Sequence, residues 1–204
     1  MEMEQEMIAG PERSELQDII VYFTYKTHHL TEARLNKLIY VGEIYHIEKF
    51  GRRMTDVPFL HHHHHGPWSG RICAEGEIIS GTDIKVEDGI TPDGYEATFF
   101  VPIEGKRMAV SLSEEKISIL DDVVADWKFK STKDLVKFAK STRPFQRSKF
   151  GEVLDLDNYA KKLMKLVYSK EAIESVERSQ REAREGKGRI FINKTELQRY
   201  YDEL

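Results

Sequence analysis

Residues 30–72 read LTEARLNKLIYVGEIYHIEKFGRRMTDVPFLHHHHHGPWSGRI, from Leu30 to Ile72. Thr31 stands where a helix N-cap belongs, with Glu32 in the first turn. Leu35, Leu38, Ile39, Tyr45 and Phe50 recur on one side at helical spacing, so the segment reads as one amphipathic helix. Gly42 allows close packing partway along, and Gly51 sits where a helix stops in a left-handed turn. Arg52 and Arg53 follow, and Pro58 disfavours helix at Val57. The stretch then closes through His61–His65 into Gly66-Pro67-Trp68-Ser69, with Gly66 permitting a sharp bend and Pro67 able to begin a short helix or turn. Trp68 is expected to pack on the core, or to anchor a partner where it is exposed.

Upstream, Pro11–His29 reads as a first helix with Leu16, Ile19, Ile20 and Phe23 inward, ending at a solvated His28-His29 pair. Downstream, residues 71–112 change character. Glycines and turn pairs (Asp88-Gly89, Asp93-Gly94, Gly105) separate the β-prone runs Glu77–Ile79, Tyr95–Ile103 and Lys106–Leu112. Glu104-Gly105 predicts a hairpin of Tyr95–Ile103 against Lys106–Leu112. Ser113–Trp127 is a capped helix with Ile117, Leu120, Val123, Val124 and Trp127 as its stripe, and Asp121, Asp122 and Asp126 on a solvated face. Ser131–Lys140 is a shorter helix opened by Ser131 and Asp134. Its polar side carries Lys133, Lys137 and Lys140, continued by Arg143, a basic patch able to meet nucleic acid or an acidic protein surface. Leu154–Tyr168 closes the core with Leu156, Tyr159, Leu163, Leu166 and Val167 inward.

Ser169–Leu204 reads as an appended helix–strand–helix tail with too little apolar surface for a core of its own. Ile190, Phe191 and Ile192 form a strand suited to pairing with a partner, and Leu197, Tyr200 and Tyr201 line a last helix, so these residues join Trp68 as candidate partner contacts. The whole is an α+β chain. Residues 1–168 make a mainly helical domain with a small antiparallel sheet inserted at about 71–112, and 169–204 form the tail.

With 40% hydrophobic and 32% charged residues, the composition is that of a globular protein. A net charge of -4 argues against a dedicated nucleic-acid binder. The single cysteine, Cys73, excludes an internal disulfide and a cysteine-based zinc knuckle. No run is apolar enough to span a bilayer and Met1–Gly10 lacks a signal-peptide core, so no membrane association and a cytoplasmic location are expected. Five consecutive histidines invite a metal site. In an extended segment only alternate rings share a side, which leaves His61, His63 and His65 as the set, and a metal-dependent enzyme would need Glu75 or Asp56 to complete it. No nucleophile–base arrangement and no phosphate-cradling glycine order is present, so neither a cofactor nor an enzyme is expected.

Three motifs in order carry a family resemblance: Lys37-Leu38-Ile39-Tyr40, Gly51-Arg52-Arg53-Met54-Thr55 and His65-Gly66-Pro67, followed by Ile119-Leu120-Asp121, Ser131–Leu135 and Pro144-Phe145. From about Leu16 to Phe150 the chain resembles the Panacea, or SocA-like antitoxin, domain. It departs from the family in its five histidines and in Ser141-Thr142-Arg143 before Pro144, where the family has His and Trp nearby. The resemblance implies an antitoxin that binds a cognate toxin protein, by masking it or by passing it to a protease. A homodimer, and operator DNA met through the basic patch, are the further partners it admits.

Overall fold

A computed structural model describes residues 13–167, together with Ser169, Glu174, Ser175, Arg178, Arg181 and Glu182. The chain divides into two compact units, residues 1–161 and 162–204. The tail residues from Ile190 to Tyr201 lie outside the described residues.

The first helix, α1 (Glu15–Lys26), is opened by a capping box. Ser14 Oγ accepts from the Gln17 amide, and the Gln17 side chain returns to the Ser14 amide. Leu16, Ile19, Ile20 and Phe23 are buried as expected. A two-residue strand, β1 (Leu30–Thr31), leads into α2 (Glu32–Phe50). Thr31 caps α2 by accepting from the Arg34 amide, and Gly51 ends it at φ 68°. The amphipathic reading of α2 is corrected: every residue from Arg34 to Ile44 is buried, so this is the central helix of the domain. Polar residues fall on what periodicity alone assigns to solvent, and each finds a partner inside the protein.

The histidine run forms β2 (Leu60–His62), which pairs antiparallel with β3 (Gly66–Trp68) in a short hairpin. Pro67 therefore lies in a strand and begins no helix, and Gly66 makes the bend at φ 74°. The other edge of β2 is also occupied. Gly151 N donates to His61 O (2.9 Å), His61 N to Glu152 O (2.8 Å) and Leu154 N to Phe59 O (2.7 Å). Next come α3 (Gly70–Ile78), β4 (Ile84–Ile90) and β5 (Glu96–Pro102). The expected hairpin partner was wrong. β5 pairs with β4, from Ile84↔Pro102 to Ile90↔Glu96, and the turn is 91–95 around Asp93-Gly94; Lys106–Leu112 forms no strand. Pro102 has no amide hydrogen and ends the ladder before Glu104-Gly105. Gly89 sits within β4, and Glu77 and Ile78 belong to α3. The sheet runs β1-β5-β4, all antiparallel.

The remaining helices are α4 (Glu114–Trp127), α5 (Thr132–Ser141), the single turn α6 (Arg143–Gln146) and α7 (Leu156–Val167). Ser113 caps α4, and Ser131 with Asp134 forms a capping box on α5. The acids of α4 are not merely solvated. Asp121 accepts from the Tyr22 hydroxyl, Asp126 from Tyr45 (2.8 Å), and Asp122 lies 3.5 Å from Lys49. Asp155 caps α7 by accepting from the Asn158 amide. Leu156 is buried, whereas Leu166, expected inward, is exposed.

Candidate functional site

The motifs of the sequence converge on α2 and bond to one another. Lys37 has no exposed surface, and its Nζ donates to the Pro67 carbonyl (2.6 Å) while lying 5.1 Å from the centre of the Trp68 ring. Burial pushes its ammonium down to about 7, with the Lys140 charge adding to the effect and Glu32 opposing it. One turn on, the Tyr40 hydroxyl hydrogen-bonds to Thr142 (2.6 Å), and its ring packs edge-on against Phe59. Asn36 Oδ1 accepts from the Ser69 amide (2.8 Å). Glu43, fully buried, accepts from the amides of Met54 (3.0 Å) and Thr55 (2.8 Å) and from the Thr55 hydroxyl. Burial pushes the Glu43 carboxyl up, and Thr55, Arg53 and the Met54 amide pull it back. His46, also buried, lies 2.8 Å from both Arg52 O and Glu115 Oε1. The conspicuous residues of the motifs therefore hold the 51–69 segment against α2, as hydrogen-bonded groups inside the core.

The histidines divide between the two sides of their hairpin. His61 is buried, stacked on Phe145 at 3.9 Å between ring centres, with Nδ1 2.9 Å from Ser148 Oγ. His63 stacks on Phe150. His62 Nδ1 accepts from the amides of His64 and His65, closing the turn, and the His65 ring leans toward His62 and Trp68 instead of His61. Among the described residues no group of three or more His, Cys, Asp or Glu is placed to hold a metal ion. Asp56 pairs with Arg71 (2.9 Å) and Glu75 accepts from Gln17 (2.9 Å). Burial and the neighbouring Glu32 push the Cys73 thiol up to about 11, away from nucleophilic reactivity. Lys133, Lys137 and Arg143 are exposed, while Lys140 is half-buried and donates to His63 O.

A groove of about 850 Å³ opens beside Trp68. It is lined by Thr31 and the start of α2 as far as Arg34, and by Tyr95 with β5 from Glu96 to Phe99. The 128–132 segment, which includes Phe129, lines it as well. Arg34 is buried and donates to the carbonyls of Trp127 (2.8 Å), Lys128 (3.2 Å) and Lys130 (2.8 Å). Its positive charge thus neutralises the carbonyl end of α4 and fixes the backbone on both sides of Phe129. Phe129 is left 90% exposed, and Tyr95, which lines the same groove, 71%. Trp68, a candidate partner contact from the sequence, lines this groove with these two, which the sequence reading did not single out. The signal available was a large aromatic between two lysines in a helix–helix linker, and another next to a turn glycine.

The described residues form a mainly helical domain with a small antiparallel sheet and two exposed aromatic rings at one groove. The family model for the antitoxin SocA-like, Panacea domain matches residues 35–146, more than half of the chain, and the chain belongs to that family. Membership points to a non-enzymatic, antitoxin-like role and, in general terms, to a toxin partner. No curated protein and no solved structure matches the chain. None of the helices among the described residues is long and apolar enough to cross a membrane.

Proposed function

We propose that this chain is an antitoxin that neutralises a cognate toxin protein by direct contact. The observation that carries the reading is the family match over residues 35–146. The groove supports it, because exposed aromatic rings on a fixed backbone are the usual anchors of protein interfaces. The tail contacts (Ile190, Phe191, Ile192, Leu197, Tyr200 and Tyr201) belong to the same proposal as a second binding element, as does a homodimer through them. Operator DNA is the subsidiary partner, through exposed Lys133, Lys137 and Arg143. The test is to express the protein encoded next to this chain's gene in a bacterial host, alone, with the full chain, and with the chain cut after Tyr168. Growth arrest relieved by co-expression is the expected result. Relief by the full chain alone assigns neutralisation to the tail, and relief by both forms assigns it to the domain. A harmless neighbour, or arrest that the full chain does not relieve, overturns the proposal.

A further inference from the structure

The two edges of β5 are not equally used. Along Glu96–Pro102 the strand is paired residue for residue with β4, but on its other edge, among the described residues, it meets only Leu30 and Thr31, opposite Phe100 and Phe99. At Glu32 the chain turns into α2 and leaves that edge. Among the described residues β5 is therefore laddered on one side only over Glu96–Thr98, and this open stretch lines the groove together with Phe99. An unpaired strand edge presents backbone donors and acceptors ready for another extended chain. Two largely exposed rings, Tyr95 and Phe129, line the same groove, and Arg34 holds the backbone on both sides of Phe129 in place.

The basic and acidic residues that line the groove come from different elements. Lys128 and Lys130 come from the turn after α4, His28 and His29 from the segment before β1, and Asp93 and Glu96 from the β4–β5 turn and the start of β5. None of the six makes an ion pair among the described residues. The third acid, Glu32, is engaged by the Cys73 thiol. A segment carrying both an acidic and a basic side chain satisfies both sets at once.

We propose that the groove seats an extended segment of the cognate toxin, which adds as a strand along Glu96–Thr98 and packs an apolar side chain between Tyr95 and Phe129. This rests on the antitoxin reading and names the surface that performs it. The segment continues the line of β1, and its acidic side chain meets Lys128 and Lys130 and its basic one Asp93 and Glu96.

The experiment measures binding of the full chain to the purified product of the neighbouring gene, with hydrogen exchange followed in both partners. Wild-type chain is expected to gain amide protection over residues 96–98 on toxin addition. Phe129→Asp with Tyr95→Asp weakens binding about tenfold or more. Lys128→Glu with Lys130→Glu weakens it as well, by a factor that shrinks at high salt. All four side chains are solvent-facing or half-buried, and circular dichroism with a urea melt confirms that the variants fold. Wild-type binding retained by the folded variants, with no protection at 96–98, overturns the inference and leaves the antitoxin reading intact. Variants that convert a dimer to a monomer without changing toxin binding assign the groove to a second copy and also overturn it. Failure of the wild-type chain to bind or neutralise the neighbour overturns both.

Discussion

Lys37 joins the first and last of the three motifs, since its ammonium reaches the carbonyl of Pro67 from within the buried run Arg34–Ile44 of α2. The folded chain holds this group at about 7 against an ordinary 10.5. Between those values the unfolded chain keeps a proton that the folded chain has released, so raising the pH favours the fold. Wild-type protein is expected to gain stability over Lys37→Met from pH 7 to pH 9, with a slope of up to about 1.4 kcal/mol per pH unit. Parallel urea melts measure it, and equal pH dependence in the two proteins would show that Lys37 stays charged. Cys73 and the buried tyrosines act in the opposite sense at higher pH, but they are common to both proteins. Glu43 is the acidic counterpart. Its two oxygens accept from two amides and a hydroxyl, so Glu43→Gln turns an amide donor against amide donors. A loss of about 2 kcal/mol or more is expected, read as a lower urea midpoint at unchanged slope. Neither burial was legible beforehand. Periodicity places hydrophobic residues well, but it assigns every Lys and Glu to solvent unless a specific partner is known, and these partners lie 11 to 30 positions away.

Among the elements, the helices were readable because their signals are local. Thr31, Gly51, Ser113 and the Ser131/Asp134 pair each act within four residues of where they stand. Strand pairing was not, because Asp93-Gly94 and Glu104-Gly105 are both good turn signals and the choice between them is made by packing. Phe100 decides it. Its ring is buried against α3, opposite Val86 on one side and Leu30 on the other. At Gly76 a Cβ would overlap that ring, whereas at Gly42 it would meet the mobile end of Met54, 2.9 Å away. Both glycines are helical, and alanine gains about 1 kcal/mol of helix propensity at either. Gly76→Ala is nonetheless expected to lose about 1–3 kcal/mol, because a buried aromatic ring flanked by two strands has nowhere to go. Gly42→Ala is expected within about 0.5 kcal/mol of wild type, since a methionine tip repacks easily. Thermal melts of the two variants decide it, and a Gly42 variant as unstable as the Gly76 variant would contradict the argument.

Across the molecule, the β2–β3 hairpin ties α2, α6 and the 151–154 segment together, and the histidines supply part of the tie. His61 does this through its stack on Phe145 and its bond to Ser148, while His63 and His64 project from the turn. The run thus divides into one packed ring and its exposed neighbours, a division that five identical letters conceal. Burial and the neighbouring His63 push the His61 imidazole below its ordinary 6.5, so the unfolded chain takes up a proton that the folded chain resists. Stability from this group is complete above 6.5 and declines as the pH falls below it. His61→Phe keeps the stack and removes the titration. It is expected to flatten the loss of stability between pH 6.5 and 5 relative to wild type, at the cost of the Ser148 bond, about 1 kcal/mol at pH 7. His63→Ala with His64→Ala is expected to change stability at pH 7 by no more than about 0.5 kcal/mol. Urea melts at pH 5, 6 and 7 compare the three proteins. If the His63/His64 variant and not His61→Phe abolishes the acid sensitivity, repulsion within the exposed turn is the cause, and the packed ring only holds the hairpin in place.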